Sequence, residues 1–249
     1  MATTSGTSQT LDRGLKILEI IASEAREPTI TEIAAALDVH RTIAHRLVAT
    51  LEQHDFVARS QHNRFQLGTG LIRLASRVGG QLRVIARPAL AALNEELDET
   101  VHLVVPAGSN VLFLDAVESS KALRVTSRVG QTLPAYATSV GKAMLAQMSD
   151  EELQQLFPDK TLKKIAPKTL PARSDLFKQL ETVRSHGYAM SSEESEIGVS
   201  SIAAAIVDQR GTVRGALGIG APVSRLTPEM VPRLALAVQK AAKQIGGLL

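Results

Sequence analysis

Apolar positions between residues 11 and 51 recur at intervals of three and four, which predicts three short helices. Leu11, Leu15, Leu18 and Ile21 share one face, with Ile17 beside it, over a helix from Leu11 to Ser23. Pro28 breaks the chain. Thr31 reads as a helix cap, and Ile33, Ala34 and Leu37 give a second, short helix. Asp38 and Val39 turn the chain into a third helix, running to Leu51, with Ile43, Ala44, Leu47 and Leu51 facing inward and Val48 at the edge. The period then changes to two. Phe56–Arg59 and Arg64–Leu67 alternate as strands about a turn-like Ser60–Asn63. Helix, helix, helix and hairpin, with a tight step between the second and third helices, is the layout of a winged helix–turn–helix.

Beyond Gly68 the pattern is helical again. Leu71, Leu74, Ala75 and Val78 form one stripe, and Leu82, Ile85, Ala89, Leu90, Leu93 and Leu97 another. Gly79 and Gly80 separate them, predicting a linker helix, a hinge and the first helix of a second domain. From residue 99 onward β-rich runs dominate: Thr100–Pro106 and Val111–Val117 about a hairpin turn, Leu123–Ser127, Tyr188–Ser192, Ser200–Val207 and Val213–Ile219. Between them fall helices at Ser139–Gln147, Asp150–Phe157 and Ser174–His186, the last closed by Gly187. Thr227 and Pro228 read as the cap and first residue of a final helix reaching about Ile245. An antiparallel sheet with helices laid on it makes this half, and the chain as a whole, α+β.

Charge sharpens the picture only in the first half. Net charge over the 249 residues is +3, so a nucleic-acid role needs a local basic surface. Residues 40–77 supply one, with six arginines against Glu52 and Asp55. The outer face of the third helix carries Arg41, Thr42, His45, Arg46 and Ala49 and no acid. Guanidinium forks match guanine edges and phosphates, and a small residue lets the helix come close. Arg41, Thr42, His45 and Arg46 are therefore expected in a DNA major groove, with Arg13, Arg59 and Arg64 on phosphates. The alternative for such a small domain is protein binding. There is no cysteine, which excludes disulfides and thiolate chemistry and fits a cytoplasmic protein. No apolar run approaches 18 residues, so no membrane span is expected. Residues 1–10 read as a disordered leader rather than a signal peptide.

Catalytic motifs do not assemble. Ser139–Lys142 reads S-x-x-K without its companion motifs, Gly141–Lys142 lacks the upstream glycine of a phosphate loop, and Gly215, Gly218 and Gly220 are out of dinucleotide-binding order. No metal site or cofactor is expected. The rival to a regulator is a small-molecule enzyme with an appended winged-helix interaction domain, using Ser139, Lys142, Glu193 or Glu194. As a binding site the same region is coherent: Thr138, Ser139, Val140 and Gly141 put hydroxyls and free N–H groups at a helix start, where a carboxylate is attracted.

The runs Leu11–Leu18, Ile33-Ala34, Thr42–Leu51 and Arg64–Gly68 resemble the IclR family of bacterial transcriptional regulators. So does the segment Gly187–Glu194 with Gly198–Asp208, through Gly187, Ser191, Glu194, Ser201, Ile202, Ala203, Ile206 and Asp208. Val207 departs, where an aromatic or histidine is usual. So does Ile43, in place of a threonine; it faces the core on the helical wheel, so little effect on DNA binding is expected. The resemblance implies a winged helix–turn–helix over 11–68, a linker helix over 69–81 and a GAF-like effector-binding domain over 82–249. It also implies a homodimer or homotetramer on a double-stranded operator. Members sensing small polar acids carry an acid at the position of Ser191, a cysteine at Ser201 and hydroxyls at Gly218 and Gly220. This chain lacks all of these, so a less polar, roomier pocket is expected around Ser191, Ser201, Gly218 and Gly220. Its effector would be an organic or aromatic acid larger or more apolar than glyoxylate or pyruvate.

Overall fold

The structure, a computed structural model, describes residues 8–23, 26–60, 62–77 and 79–249. The chain divides into two compact units, meeting between residues 78 and 79. Residues 1–7 of the expected leader, Gln61 of the wing turn and Val78 of the linker stripe lie outside the described residues.

The first unit holds helices α1 (Gln9–Ser23), α2 (Ile30–Ala36) and α3 (Arg41–Gln53), the hairpin strands β1 (Val57–Arg59) and β2 (Phe65–Leu67), and a short α4 (Gly70–Ala75). Helix α1 thus starts inside the segment expected to be leader. Its inward face is Ile17 and Ile21 rather than the Leu11–Leu15 row, and those leucines stay 63% and 53% exposed. The stripe was broader than the contact: α1 packs on α3 and β2 through one edge of it. The cap of α2 is Thr29, not Thr31. Thr29 Oγ1 accepts from Glu32 N–H at 3.3 Å while Glu32 Oε2 accepts from Thr29 N–H at 2.7 Å, a reciprocal box that Thr31 has no partner to form. His40 caps α3, its Nδ1 accepting from Thr42 N–H at 3.3 Å. The α2–α3 turn places Asp38 at a φ of 51°. Ala44 and Val48 are the buried residues of α3, packed with Ile17, Ile33, Val57 and Phe65. Ile43 is 41% exposed, against the expectation that it faces the core. It sits about 100° round the helix from Ala44 and beyond Leu47, which closes that side of the contact.

Gly68 is required by a close approach. A Cβ there would lie 2.0 Å from the Asp55 carbonyl oxygen. Helix α4 ends at Ala75 instead of continuing to 81, and Leu74 and Ala75 of its stripe are exposed. Gly79, at a φ of 60°, opens α5 (Gly80–Leu97), so the second unit starts before the expected residue 82.

The second unit is a six-stranded antiparallel sheet in the order β5-β4-β3-β8-β7-β6. Its strands are β3 (Thr100–Ala107), β4 (Asn110–Val117), β5 (Thr132–Pro134), β6 (Ala189–Ser192), β7 (Val199–Val207) and β8 (Val213–Pro222). Strand alternation divides the side chains between two cores. Val101, Leu103, Ile202, Ala204, Leu217 and Ile219 meet α5 and α9 (Val231–Gly246) on one face. Val104, Phe113, Ala203 and Ala216 meet α6 (Ser139–Leu145), α7 (Asp150–Leu156) and α8 (Arg173–His186) on the other.

Two expectations fail here. Leu123–Ser127 is not a strand. It is a loop over the sheet end, held by Thr100 Oγ1 donating to Val125 O and by Ser127 N–H donating to Glu118 Oε1 at 2.9 Å. Residues 227–230 form a turn, and α9 begins at Val231 with a proline in its first turn. Pro232, not Pro228, occupies the site where a missing N–H is tolerated.

Candidate functional site

Each unit carries one region with chemistry. On α3, Arg41, Thr42, His45 and Arg46 are all exposed. Among the described residues no acid forms an ion pair with Arg41, Arg46 or Arg13, although Arg13 is half-buried on α1. Thr42 is partly engaged, its Oγ1 lying 3.0 Å from His40 Nδ1. The wing arginines differ. Arg59 donates to Asn63 Oδ1 at 2.8 Å, lies 3.6 Å from Glu52 and stacks over the Phe65 ring at 5.1 Å. Arg64, half-buried, donates to the Glu27 carbonyl at 2.7 Å and sits 3.5 Å from Glu32. It ties the wing to the start of α2.

In the second unit, β3, β8 and β7 run side by side with His102 opposite Gly218 and Gly218 opposite Ala203; one step along, Thr100, Gly220 and Ser201 align. Alternation points these residues at the α6 face, where a cavity of about 40 Å³ opens. Thr138, Ser139, Val140, Ser201, Gly218 and Gly220, all singled out in the sequence, line it; so do His102, Phe113, Val125 and Arg128, which were not. The signal for His102 was a lone histidine among apolar residues at an inward strand position. Arg128 had none: it lies just past the expected strand Leu123–Ser127, and nothing in the local pattern points it at the cavity.

Two expected residues are elsewhere. Gly141 packs against the Ala135 backbone, where a Cβ would be 2.1 Å from the carbonyl oxygen, and lines a separate apolar cavity. Ser191 turns away to donate to the Ala137 carbonyl at 3.2 Å. The helix start is also less open than expected: Thr138 Oγ1 accepts from Gly141 N–H at 3.0 Å. Nor is the pocket roomier for its glycines. Val140 Cγ1 lies 2.6 Å from where a Gly218 Cβ would stand, so a neighbouring valine fills that space with apolar surface.

The polar inventory is small. Ser139 Oγ donates to Ser201 Oγ at 2.7 Å. Arg128 pairs with Glu196, leaving further guanidinium N–H groups. His102 meets the Phe113 ring edge-on at 5.2 Å and is buried. Burial, then the Arg128 charge, pushes its imidazole down to about 4, so the ring is neutral at pH 7.

Behind the cavity, Lys142 is 1% exposed. Its Nζ donates to Glu194 Oε1 at 2.7 Å and to Gln179 Oε1 at 2.9 Å. Burial lowers the lysine's pKa from its ordinary value and Glu194 opposes the shift. Glu193 pairs with Lys168 and accepts from Gly198 N–H. Ser139 thus has a hydroxyl, not a base, as partner, and neither Lys142 nor Glu193 is placed to activate it.

A helix–turn–helix unit with a cationic outer face, joined to an α/β unit holding a small, mostly apolar cavity with a few polar groups, defines the class of DNA-binding regulators that carry a ligand-sensing domain. Residues 10–61 match the IclR helix-turn-helix domain, and residues 76–246 match the bacterial transcriptional regulator IclR C-terminal domain. The chain belongs to the IclR family of bacterial transcriptional regulators. It is 32% identical over 249 residues to the transcriptional repressor IclR of Escherichia coli, covering 98% of this chain and 91% of that one. The crystal structure of the Thermotoga maritima IclR superposes with a TM-score of 0.78 at 28% identity, covering 95% of this chain and 97% of that chain. A transcriptional regulator from Rhodococcus sp. RHA1 does so with a TM-score of 0.83 at 27% identity, covering 96% and 97%.

Proposed function

We propose that the protein is a cytoplasmic, non-enzymatic regulator of a metabolic operon. It binds a palindromic double-stranded operator as a homodimer or dimer of dimers and responds to a small organic acid. The acid-free outer face of α3 carries this reading, with Arg41, His45 and Arg46 exposed and no ion pair on either arginine among the described residues. Arg41, Thr42, His45 and Arg46 read base edges in the major groove, and Arg13 and Arg59 approach phosphates. Arg64 acts mainly by holding the wing. A palindrome needs two half-site readers, hence the dimer. The absence of any helix long and apolar enough to cross a membrane among the described residues is compatible with the cytoplasm.

The cavity at Thr138, Ser139, Val140, Ser201, Gly218 and Gly220 is the effector site in this reading, with Arg128 as the counter-charge for a carboxylate. Effector binding changes operator affinity by favouring one spacing of the paired DNA-binding units. Fluorescence anisotropy on DNA from upstream of the protein's own gene, against a scrambled duplex over a salt series, tests the proposal. Preference for the native duplex by about 10³ with a steep salt slope is expected. Equal, weak binding to both duplexes would remove the sequence-specific reading.

A further inference from the structure

Arg128 is the only permanently charged side chain that lines the cavity among the described residues, and its charge is already taken. The partner, Glu196, comes from the turn between β6 and β7, and the same turn supplies Ser195 and Val199 to the cavity wall. That turn is fastened at both ends. Glu193 N–H donates to Val199 O at 2.8 Å, Glu193 Oε1 accepts from Gly198 N–H at 3.0 Å, Thr169 Oγ1 donates to Glu194 O at 2.7 Å, and Val223 N–H donates to Gly198 O at 2.8 Å. Glu193 and Gly198 are also its two left-handed residues, at φ values of 57° and 81°. Between these anchors, residues 195–197 have one long backbone bond, from Val199 N–H to Glu196 O at 3.4 Å, and the ion pair to Arg128. Glu196 and Ile197 are exposed. The segment is a short strap laid over the cavity and latched by one pair of charges.

Space and charge both require the latch to give. A volume of about 40 Å³ holds roughly three water-sized groups, fewer than the heavy atoms of even a two-carbon acid. A wall must therefore move, and strands β3, β7 and β8 and helix α6 are packed into the two cores, whereas the strap is held least. An acid that reached Arg128 with Glu196 still in place would set two carboxylates on one guanidinium, the second unmatched. We propose that Glu196 stands in for the effector's carboxylate: it holds Arg128 in the free protein, an incoming acid takes its place, and the strap 195–197 is released from the cavity. This rests on the cavity being the effector site and adds how that site opens. Acid affinity is then set below what the guanidinium alone would give, and the freed strap signals occupancy at the domain surface.

Calorimetry on the full chain with glyoxylate, pyruvate, benzoate and 4-hydroxybenzoate compares the native protein with Glu196→Gln and Arg128→Gln. For an acid that binds, Glu196→Gln is expected to hold it about five-fold or more tightly and Arg128→Gln about ten-fold or more weakly. Hydrogen exchange supplies a readout that needs no variant. Saturating acid is expected to speed exchange of the peptide covering 195–199, where closure round a ligand would slow it. Unchanged or weaker binding by Glu196→Gln, or unchanged or slower exchange of 195–199, overturns the latch; if Arg128→Gln still loses affinity, the cavity stands as the acid site without it. Full affinity in Arg128→Gln, or no acid bound by any form, overturns the latch and the cavity assignment together. The anisotropy experiment without added ligand is unaffected by these outcomes, so a failed effector assignment is separable from a failed DNA-binding reading.

Discussion

The outer face of α3 and the cavity beside α6 use the same residue types under opposite conditions. On the outer face of α3, Arg41 and Arg46 stand in water with no ion pair among the described residues, so they are available to an external anion at little cost to the fold. Beside α6, charge is matched within the protein: buried Lys142 has Glu194 and Gln179, half-buried Arg128 has the exposed Glu196, and Ser139 and Ser201 have each other. A DNA surface needs unmatched charge because its ligand supplies the counter-charge along a whole groove. A small-molecule cavity tolerates few unmatched groups, since each is desolvated before the ligand arrives. Among the described residues His102 Nε2 and the second carboxylate oxygen of Glu194, Oε2, are buried here without a hydrogen-bond partner.

The largest effect expected from breaking this contrast is in the buried pair. Lys142→Met leaves the Glu194 carboxylate without its cation and is expected to destabilise the protein by about 3–5 kcal/mol, read by chemical denaturation. Lys142→Met with Glu194→Leu should recover much of that loss; a double variant as unstable as the single one would contradict a pairing role. Next is the pH response. The folded imidazole of His102 titrates at about 4 and the unfolded one near 6.5, so below pH 6.5 the unfolded chain binds a proton that the folded chain refuses. Stability should fall as pH drops from 6.5 to about 4, by on the order of 3 kcal/mol in total, and should be flat above pH 7 as far as this residue acts. Denaturation curves of His102→Leu should be correspondingly flatter in that window.

Arg41→Ala tests the other region. It is expected to weaken operator binding by about 1–3 kcal/mol and relax specificity at one base position, with thermal stability almost unchanged. A comparable loss on scrambled DNA would reassign Arg41 to phosphate. The smallest effect sharpens the contrast inside the first unit. Arg64→Ala removes the bond to the Glu27 carbonyl and should lower stability by about 1 kcal/mol while leaving the salt slope of DNA binding as it was. A slope reduced by about one would make Arg64 a phosphate contact after all.

How far the sequence could be read depended on the range of the interaction. The turn before α3, the wing hairpin, the break at Gly79-Gly80 and the Gly187 helix end follow from short-range signals, and each lies at or near its expected place. Thr29 as a cap is equally local, since Glu32 three residues on marks it, whereas Thr31 has Ala34 at that spacing and no side chain to complete the box. Leu123–Ser127 has strand character and is held as a loop by Thr100 and Glu118, residues that no local pattern connects to it.

The sequence by itself determined a three-helix-and-wing unit followed by an antiparallel α/β unit, the acid-free face of α3, and the family resemblance. Periodicity and turn chemistry act over a few residues and are written directly in the chain. Tertiary structure alone decided that Ile43 and Leu15 face outward, that Arg64 braces the wing, and that Val140 fills the space beside Gly218. It also brought His102 from β3 to the same cavity as Arg128 from a distant loop. Which edge of an apolar stripe is buried, and which polar groups converge on a cavity, depend on the neighbouring element, and that neighbour is chosen by packing rather than by sequence distance.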